Sequence, residues 1–194
     1  MKTNSNGLFH HPGLRRFLVR MRAPLAILGL ILLAQFVHPE WLLAGFVVSM
    51  FGECIQLWCF ASLDKNSTLT ARGPYTMVRN PMYLGRFFIL LGFLMLLGQW
   101  WLWLAYTAVY WFYMDARVQR EEAHLRPIFG PAYEQYCATV RRFMPRWPAT
   151  GEPLGYWNWR LFAQNNAGFN LLATLLAWAV VAAWAIWGLP LLTG

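Results

Sequence analysis

Two stretches of the chain combine charged, amide and aromatic side chains at spacings that suit ligand binding. The first, residues 71–85, contains a Gly-Pro turn pair, and its Pro81 suits the first turn of a helix. Arg79 and Asn80 then stand at the helix start, where free backbone N–H groups and a partial positive charge favour an anion. The alternative is a basic loop that holds lipid phosphates, and this stretch alone does not separate the two interpretations.

The second stretch, residues 115–146, has the same ambiguity. If the apolar segment before it, about 99–114, continues into it as a helix, Arg117 and Glu121 are four residues apart and share a face. Tyr133 and Tyr136 are three apart and also share one. Taken singly, these pairs are ordinary surface ion pairs or interfacial aromatic anchors. Taken together, they suit a polar ligand. Arg117 can bind a carboxylate or phosphate by paired hydrogen bonds, and Glu121 can accept hydrogen bonds.

Both stretches, in order, resemble the isoprenylcysteine carboxyl methyltransferase and phospholipid methyltransferase superfamily over about residues 71–146. The first signature is approximately G-x-Y-x-x-x-R-H-P-x-Y-x-G. It is matched by Gly73, Tyr75, Arg79, Pro81, Tyr83 and Gly85, with Asn80 in place of the histidine. The second is approximately R-x-x-x-E-E, then F-G-x-x-Y-x-x-Y, then R-x-x-P. It is matched by Arg117, Glu121, Glu122, Phe129, Gly130, Tyr133, Tyr136, Arg142 and Pro145.

The resemblance implies an S-adenosylmethionine-dependent methyltransferase whose cofactor pocket lies on the cytoplasmic side. Its acceptor would be a membrane lipid or lipophilic small molecule that enters from the bilayer. The implied catalytic residues are Arg79, Arg117 and Glu122. The implied cofactor-binding residues are Gly73, Tyr75, Asn80, Pro81, Tyr83, Gly85, Glu121, Tyr133, Tyr136 and Arg142. No metal ligands are assigned. Asparagine cannot titrate, so Asn80 is expected to bind the cofactor by hydrogen bonds and not to carry a proton.

Two other functions remain as alternatives. Membrane sterol reductases resemble this superfamily and use NADPH, and their corresponding motif is R-H-x-N-Y-x-G-D. This chain has Pro81 before Met82-Tyr83 and Arg86 after the motif's last glycine, which favours the methyltransferase. A non-catalytic lipid-binding membrane protein is the other alternative. A degenerate relative is expected to lose the charged motif positions, and here they are all present.

The elements that position these residues are predicted to be membrane helices. Of the 194 residues, 58% are hydrophobic and only 12% are charged, against about 25% charged in soluble domains. The composition predicts an all-α integral membrane protein of about five transmembrane helices with a small cytoplasmic helical cap at about 115–160. The apolar segments, each near the length of a membrane span, are about 23–37, 41–61, 82–98, 99–114 and 168–190.

The distribution of charge predicts the orientation. All 16 lysines and arginines precede the first span, or lie between or at the edge of the second and third, or between the fourth and fifth. This bias places the N-terminus in the cytoplasm, as in a multi-pass protein of a bacterial inner membrane or an equivalent membrane. The net charge of +8 then indicates contact with anionic lipid and not nucleic-acid binding. The chain is expected to be one membrane domain, 1–194, whose oligomeric state the sequence leaves open.

One polar pair lies inside a predicted span. Glu53 and Gln56 are three residues apart and share a face of the second span. An intramembrane carboxylate is rare and indicates a functional site, so both are candidate substrate-binding residues. The alternative is an inter-helix hydrogen bond. In either case the two side chains are expected to face the interior of the bundle.

Overall fold

The computed structural model describes residues 35–64 and 68–188. Within these ranges all regular elements are helical and no strand occurs, as the composition predicts. Residues 38–188 fall in one contact-defined unit and residues 1–37 in another. The predicted first span, 23–37, lies outside the described residues apart from its last three. The second unit, which begins at His38, contains all the helices that the structure describes.

Five α-helices follow one another in this unit. They are α1 (Leu42–Ser62), α2 (Pro81–Met95), α3 (Trp100–Thr139), α4 (Trp159–Gln164) and α5 (Ala167–Ala183). Helix α1 is preceded by a 3₁₀ turn at Pro39–Trp41, and α5 continues as a π-helical turn at Trp184–Gly188. A further 3₁₀ turn, Gly73–Thr76, lies within the first signature. Helices α1, α2 and α5 lie close to three of the predicted spans, whereas α3 runs far beyond the predicted end of the fourth.

Two of the described segments are long and apolar enough to cross a membrane. They are Pro39–Ser62 and Ala167–Gly188, with mean hydropathies of 1.6 and 2.0. Helix α2 is apolar but shorter. Large apolar side chains point outward from these helices and from α3, including Leu43 (75% exposed), Phe112 (86%) and Val180 (69%). Apolar surface on this scale indicates a membrane location, because a soluble monomer rarely presents it to water.

Helices α1 and α2 approach each other closely through glycines. A side chain at Gly45 would meet the carbonyl oxygen of Gly92, and one at Gly52 would meet the carbonyl oxygen of Gly85. Small residues at such contacts allow two helix backbones to pack directly, which is a common solution in membranes. The start of α2, and with it the end of the first signature, is thereby held against α1.

Helix α3 is interrupted at Gly130. This residue has φ 53° and ψ −132°, a conformation open to glycine and strained for other residues. Pro127 and Pro131 flank it, and each removes a backbone donor from the helix. The chain therefore changes direction before residues 131–139. The first half of the predicted cap is thus a continuation of α3, and not a separate element.

Residues 141–158, here called the strap, have no regular helix and run alongside the first signature. Four backbone hydrogen bonds attach it: Arg79 N to Arg141 O (2.9 Å), Arg146 N to Met77 O (2.9 Å), Gly73 N to Pro153 O (2.9 Å) and Asn158 N to Ala61 O (3.0 Å). Within the strap Arg146 binds Glu152, and this hydrogen bond lowers the pKa of the Glu152 carboxyl. The strap thus holds the loop that carries Tyr75 and Arg79, and it is itself attached to the end of α1.

Candidate functional site

A cavity of about 520 Å³ lies among the first half of α2, the middle of α3, residues 131–139 and the loop before α2. Small-molecule sites have volumes of about 300–1,000 Å³, so the cavity can hold a ligand of cofactor size. Nine of the residues singled out in the sequence line it: Tyr75, Arg79, Asn80, Tyr83, Arg117, Glu121, Glu122, Tyr133 and Tyr136. The two signatures, which are separated by the α2–α3 hairpin, therefore contribute to one site.

Glu122 is the centre of a charge network in the cavity wall. It is 4% exposed. Its Oε2 accepts a hydrogen bond of 2.8 Å from Arg142 Nη2, its Oε1 accepts one of 3.2 Å from Arg142 Nε, and Arg79 Nη1 lies 3.4 Å from Oε1. Arg142 also donates a hydrogen bond of 2.7 Å to Asp115. The hydrogen bond to Glu122 raises the pKa of the Arg142 guanidinium, so this side chain stays positively charged.

Arg79 has a donor left over. Its Nε is buried and finds no hydrogen-bond partner within the part of the chain that the structure describes. A buried donor without a partner is destabilising by about 1–3 kcal/mol. Arg79 also lines the cavity, so a polar ligand there would lie beside this guanidinium.

Tyr83 joins the two signatures on the other side of the cavity. Its hydroxyl donates a hydrogen bond of 2.7 Å to Glu121 Oε2 and accepts one of 3.0 Å from Arg117 Nε. The guanidinium carbon of Arg117 also lies 6.0 Å from the centre of the Tyr83 ring. Arg117 and Glu121 share a face of α3, as the spacing predicts, and the tyrosine hydroxyl lies between them. The hydrogen bond that Arg117 donates to Tyr83 raises the pKa of the Arg117 guanidinium.

Three tyrosines form another wall of the cavity. Tyr136 donates its hydroxyl to the backbone oxygen of Tyr75 at 2.8 Å, and the rings of Tyr133 and Tyr136 lie 6.2 Å apart. Burial raises the pKa of all three phenols above the ordinary value. They therefore remain neutral phenols, which can form hydrogen bonds but do not act as bases.

Asn80 occupies the N-cap position of α2 and lines the cavity. Its side chain makes no capping bond to the helix. Instead its Nδ2 donates a long hydrogen bond of 3.4 Å to the backbone oxygen of Arg142. The carbonyl end of the amide makes no hydrogen bond among the described residues, so it is available to a ligand in the cavity.

Four predicted cofactor-binding residues do not line the cavity. Gly73 has φ 58° and packs against Ser62, Pro81 is buried at the start of α2, and Gly85 packs against α1. Arg142 lies behind Glu122 and reaches the cavity only through it. All four hold the residues that do line the cavity, and their direct contact with a cofactor remains a prediction.

Glu53 and Gln56 lie apart from the cavity wall. Both are buried, at 1% and 4% exposure, which confirms that they face the interior. Glu53 accepts hydrogen bonds from Asn170 (2.7 Å) and Thr174 (2.9 Å) of α5, whereas Gln56 packs at Gly85 of α2. The inter-helix bond considered as the alternative is therefore present. Contact with a substrate remains untested.

The cavity also has residues that the sequence did not single out as part of the site. They include Asp64, Thr70, Met82, Arg86, His124 and Ile128. Asp64 and Thr70 precede the first signature, and the other four occupy variable positions within or just after the two signatures. For Arg86 and His124, helical spacing could have indicated a position in the cavity wall. Arg86 is three residues after Tyr83 on α2, and His124 is three after Glu121 on α3, so each extends a face that already lines the cavity.

Comparison with known proteins identifies the family to which the chain belongs. Residues 27–132 match the family model described as phospholipid methyltransferase. The match spans more than half of the chain and includes the first signature and the Arg117–Glu122 part of the second. The chain belongs to the phospholipid methyltransferase family, and thus to the superfamily that its signatures resemble.

The curated relatives have more specific names. The chain is 31% identical over 121 residues to a protein-S-isoprenylcysteine O-methyltransferase of Schizosaccharomyces pombe, covering 62% of this chain and 49% of the relative. It is 27% identical over 118 residues to the enzyme of that name from Xenopus laevis, covering 54% and 41%. A probable protein-S-isoprenylcysteine O-methyltransferase of Oryza sativa subsp. indica is 27% identical over 113 residues, covering 52% and 59%. The chain thus spans about half the length of these relatives. No solved structure matches it.

Proposed function

We propose that this protein is an S-adenosylmethionine-dependent methyltransferase that acts on a lipophilic acceptor in the membrane. One observation carries the proposal. Both signatures of the family meet around a single cavity, where Arg79 contacts Glu122 and Tyr83 contacts Glu121 across the α2–α3 hairpin. The names of the relatives support methyl transfer as the reaction.

The groups in the cavity suit the parts of this cofactor. Its carboxylate is an acceptor for Arg79, whose Nε has no partner among the described residues. Its amino and ribose groups are donors for Glu121 and for the amide oxygen of Asn80. The tyrosine rings offer faces to a cation. When bound, the cofactor would supply an electrophilic methyl group on its sulfonium, and transfer of that methyl to an acceptor atom would break the S–CH₃ bond and release the thioether S-adenosylhomocysteine. The chain contributes alignment and exclusion of water, which such a displacement requires.

The acceptor enters from the apolar side of the site in this proposal. Met82, Leu125 and Ile128 line the cavity beside the charged groups, and Ile128 is 54% exposed. A carboxylate, phosphate, amine or thiol remains possible as the reacting group. An amine needs a base to remove its proton, and His124 is the histidine that the cavity wall offers. The NADPH-dependent reductase and the non-catalytic lipid-binding protein are favoured by none of the comparisons.

The proposed topology has five spans, with the cavity on the cytoplasmic face. It rests on the one-sided lysines and arginines and on the two long apolar segments. We expect a phosphatase reporter fused to the C-terminus to be active outside the cytoplasm, and a cytoplasmic fluorescent reporter to be bright at the N-terminus. Reporters that place both ends on the same side contradict the five-span arrangement.

Binding and transfer test the function directly. The purified chain is expected to bind S-adenosylhomocysteine and not NADPH, measured by calorimetry in nonionic detergent. Incubation of a membrane extract with the chain and methyl-labelled S-adenosylmethionine should place label in the lipid-soluble fraction. Mass spectrometry of that fraction then identifies the acceptor. Binding of NADPH in place of S-adenosylhomocysteine would instead support a reductase.

Asn80 provides a matched pair of variants for the same assay. Asn80→Ala removes the amide and is expected to weaken S-adenosylhomocysteine binding about tenfold, because one hydrogen bond to a polar ligand is worth about 0.5–1.5 kcal/mol. Asn80→His restores a hydrogen-bonding group and should bind nearly as well as the wild type. Unchanged affinity in the alanine variant excludes Asn80 from cofactor binding.

A further inference from the structure

Arg86 is a charged residue of the cavity wall to which neither signature assigns a role. It lies on α2 five residues after Pro81, on a helix whose other residues are nearly all apolar, and its side chain is exposed. Its guanidinium carbon lies 5.7 Å from the centre of the Tyr83 ring. A cation over an aromatic ring at an exposed site is worth only about 0.5–1 kcal/mol. That contact is too weak to account for a guanidinium on an apolar helix.

The carboxylates near the cavity are engaged elsewhere. Glu122 and Asp115 bind Arg79 and Arg142, Asp64 lies near Arg72, and Glu121 holds the Tyr83 hydroxyl. Among the described residues, neither Arg86 nor Arg117 makes an ion pair. Both lie within about 6 Å of the Tyr83 ring and both line the cavity. The wall around Tyr83 therefore carries two guanidiniums that have no carboxylate partner in the described ranges, 35–64 and 68–188.

We propose that Arg86, together with Arg117, binds an anionic head group of the lipophilic acceptor and selects it over neutral or cationic head groups. This rests on the proposed function. Carboxylate and phosphate monoester are the two head groups with the required chemistry, since both accept paired hydrogen bonds from a guanidinium. The apolar side chains of Met82 and Ile128 line the same cavity and suit the attached hydrocarbon. Arg86 is thus a specificity-determining residue, distinct from the groups that face the cofactor.

The position of Arg86 also permits a simpler role. Five residues from the start of α2 is about 7.5 Å along the axis, so the side chain can reach the head-group region of the surrounding bilayer. In that case Arg86 contacts bulk lipid phosphate and has no influence on a ligand in the cavity. The two roles make opposite predictions in detergent that contains no phospholipid.

The test uses four amphiphiles with the same chain: hexadecyl phosphate, hexadecanoate, hexadecanol and hexadecylammonium. Binding to the full chain in nonionic detergent is measured by quenching of tryptophan fluorescence. We expect the wild type to prefer the two anions over the alcohol by at least about tenfold, since hydrogen bonds to charged groups are worth about 1.5–3 kcal/mol. Arg86→Gln should lose most of that preference and retain its affinity for hexadecanol. The relative affinities of the phosphate and the carboxylate identify which acid fits better.

Two controls complete the test. Arg120→Gln removes an exposed arginine of α3 that does not line the cavity and should leave all four affinities unchanged. Arg86→Lys keeps the charge without the planar fork and should retain part of the preference. Equal affinity of the wild type for anion and alcohol, or an Arg86→Gln variant with wild-type preference, overturns the proposal. S-adenosylhomocysteine binding is measured separately in each variant. Its absence from the wild type refutes the proposed function but leaves the head-group preference readable.

Discussion

Replacement of Glu122 by glutamine is expected to abolish methyl transfer and to lower the stability of the protein. The substitution keeps the shape of the side chain but removes its charge, which leaves Arg79 and Arg142 without their shared carboxylate. Breaking a buried ion pair from one side destabilises a protein by about 3–5 kcal/mol. Because Arg142 is 30% exposed, we expect the lower end of that range. Radiolabelled methyl incorporation and thermal unfolding in detergent measure the two effects.

Glu134→Gln is the matched control for this experiment. Glu134 also lies on α3 and also pairs with an arginine, Arg126, at 3.1 Å. Both partners are more than half exposed, and exposed pairs contribute about 0–1 kcal/mol. The control should therefore unfold at nearly the wild-type temperature and remain active. A Glu122→Gln variant that matches this control in both measurements removes Glu122 from the site.

The convergence of the two signatures could be predicted from the sequence, because a hairpin of two helices returns the chain to its starting face. The contacts Arg79–Glu122 at 3.4 Å and Tyr83–Glu121 at 2.7 Å show that the stretches meet. The roles within the site could not be read in the same way. A motif marks a position without saying whether it contacts a ligand or supports a neighbour. Gly73 and Gly85 illustrate this, since both pack against α1 outside the cavity wall.

The length of α3 could not be predicted from hydropathy. The first charged residue after its apolar part, Asp115, suggested the start of a separate cap, yet the helix continues to Thr139. Arginine, glutamine, glutamate and alanine between these residues are good helix formers. The change from an apolar to a polar sequence at Asp115 therefore does not end the helix. The helix breaks at Gly130, which has a positive φ. The chain changes direction there, and the residues that follow include Tyr133 and Tyr136, which line the cavity.

The partners of the charged signature residues could not be predicted from the sequence either. Nothing in the spacing of Arg142 indicates that it binds Asp115 and Glu122, which are 27 and 20 residues earlier in the chain. That Arg86 makes no ion pair with the described residues could not be predicted either, because it depends on which carboxylates the other arginines occupy. These features follow from the way the strap brings residues 141–142 against α3, and helical periodicity carries no information about such a segment.

Gly52→Ala is expected to destabilise the packing of α1 against α2. The added Cβ would collide with the backbone oxygen of Gly85, and the backbone nitrogen of Ile89 lies 2.7 Å from its position. Backbone cannot rotate away as a side chain can, so the two helices must separate. Overpacking of this kind destabilises by about 1–3 kcal/mol or more. Because Asn80 and Tyr83 lie at the start of α2 and line the cavity, the shift should also weaken S-adenosylhomocysteine binding.

Gly168→Ala separates this packing effect from the general effect of adding a methyl group to a helical glycine. Gly168 lies in α5, and no atom of the residues that the structure describes lies within 4 Å of the position its Cβ would take. Alanine favours a helix over glycine by about 1 kcal/mol, so this variant should unfold at or above the wild-type temperature with unchanged binding. Thermal unfolding and calorimetry on both variants give the comparison. Equal unfolding temperatures for Gly52→Ala and Gly168→Ala are incompatible with a backbone contact between α1 and α2. A lower temperature for Gly52→Ala with unchanged binding confines the role of that contact to stability.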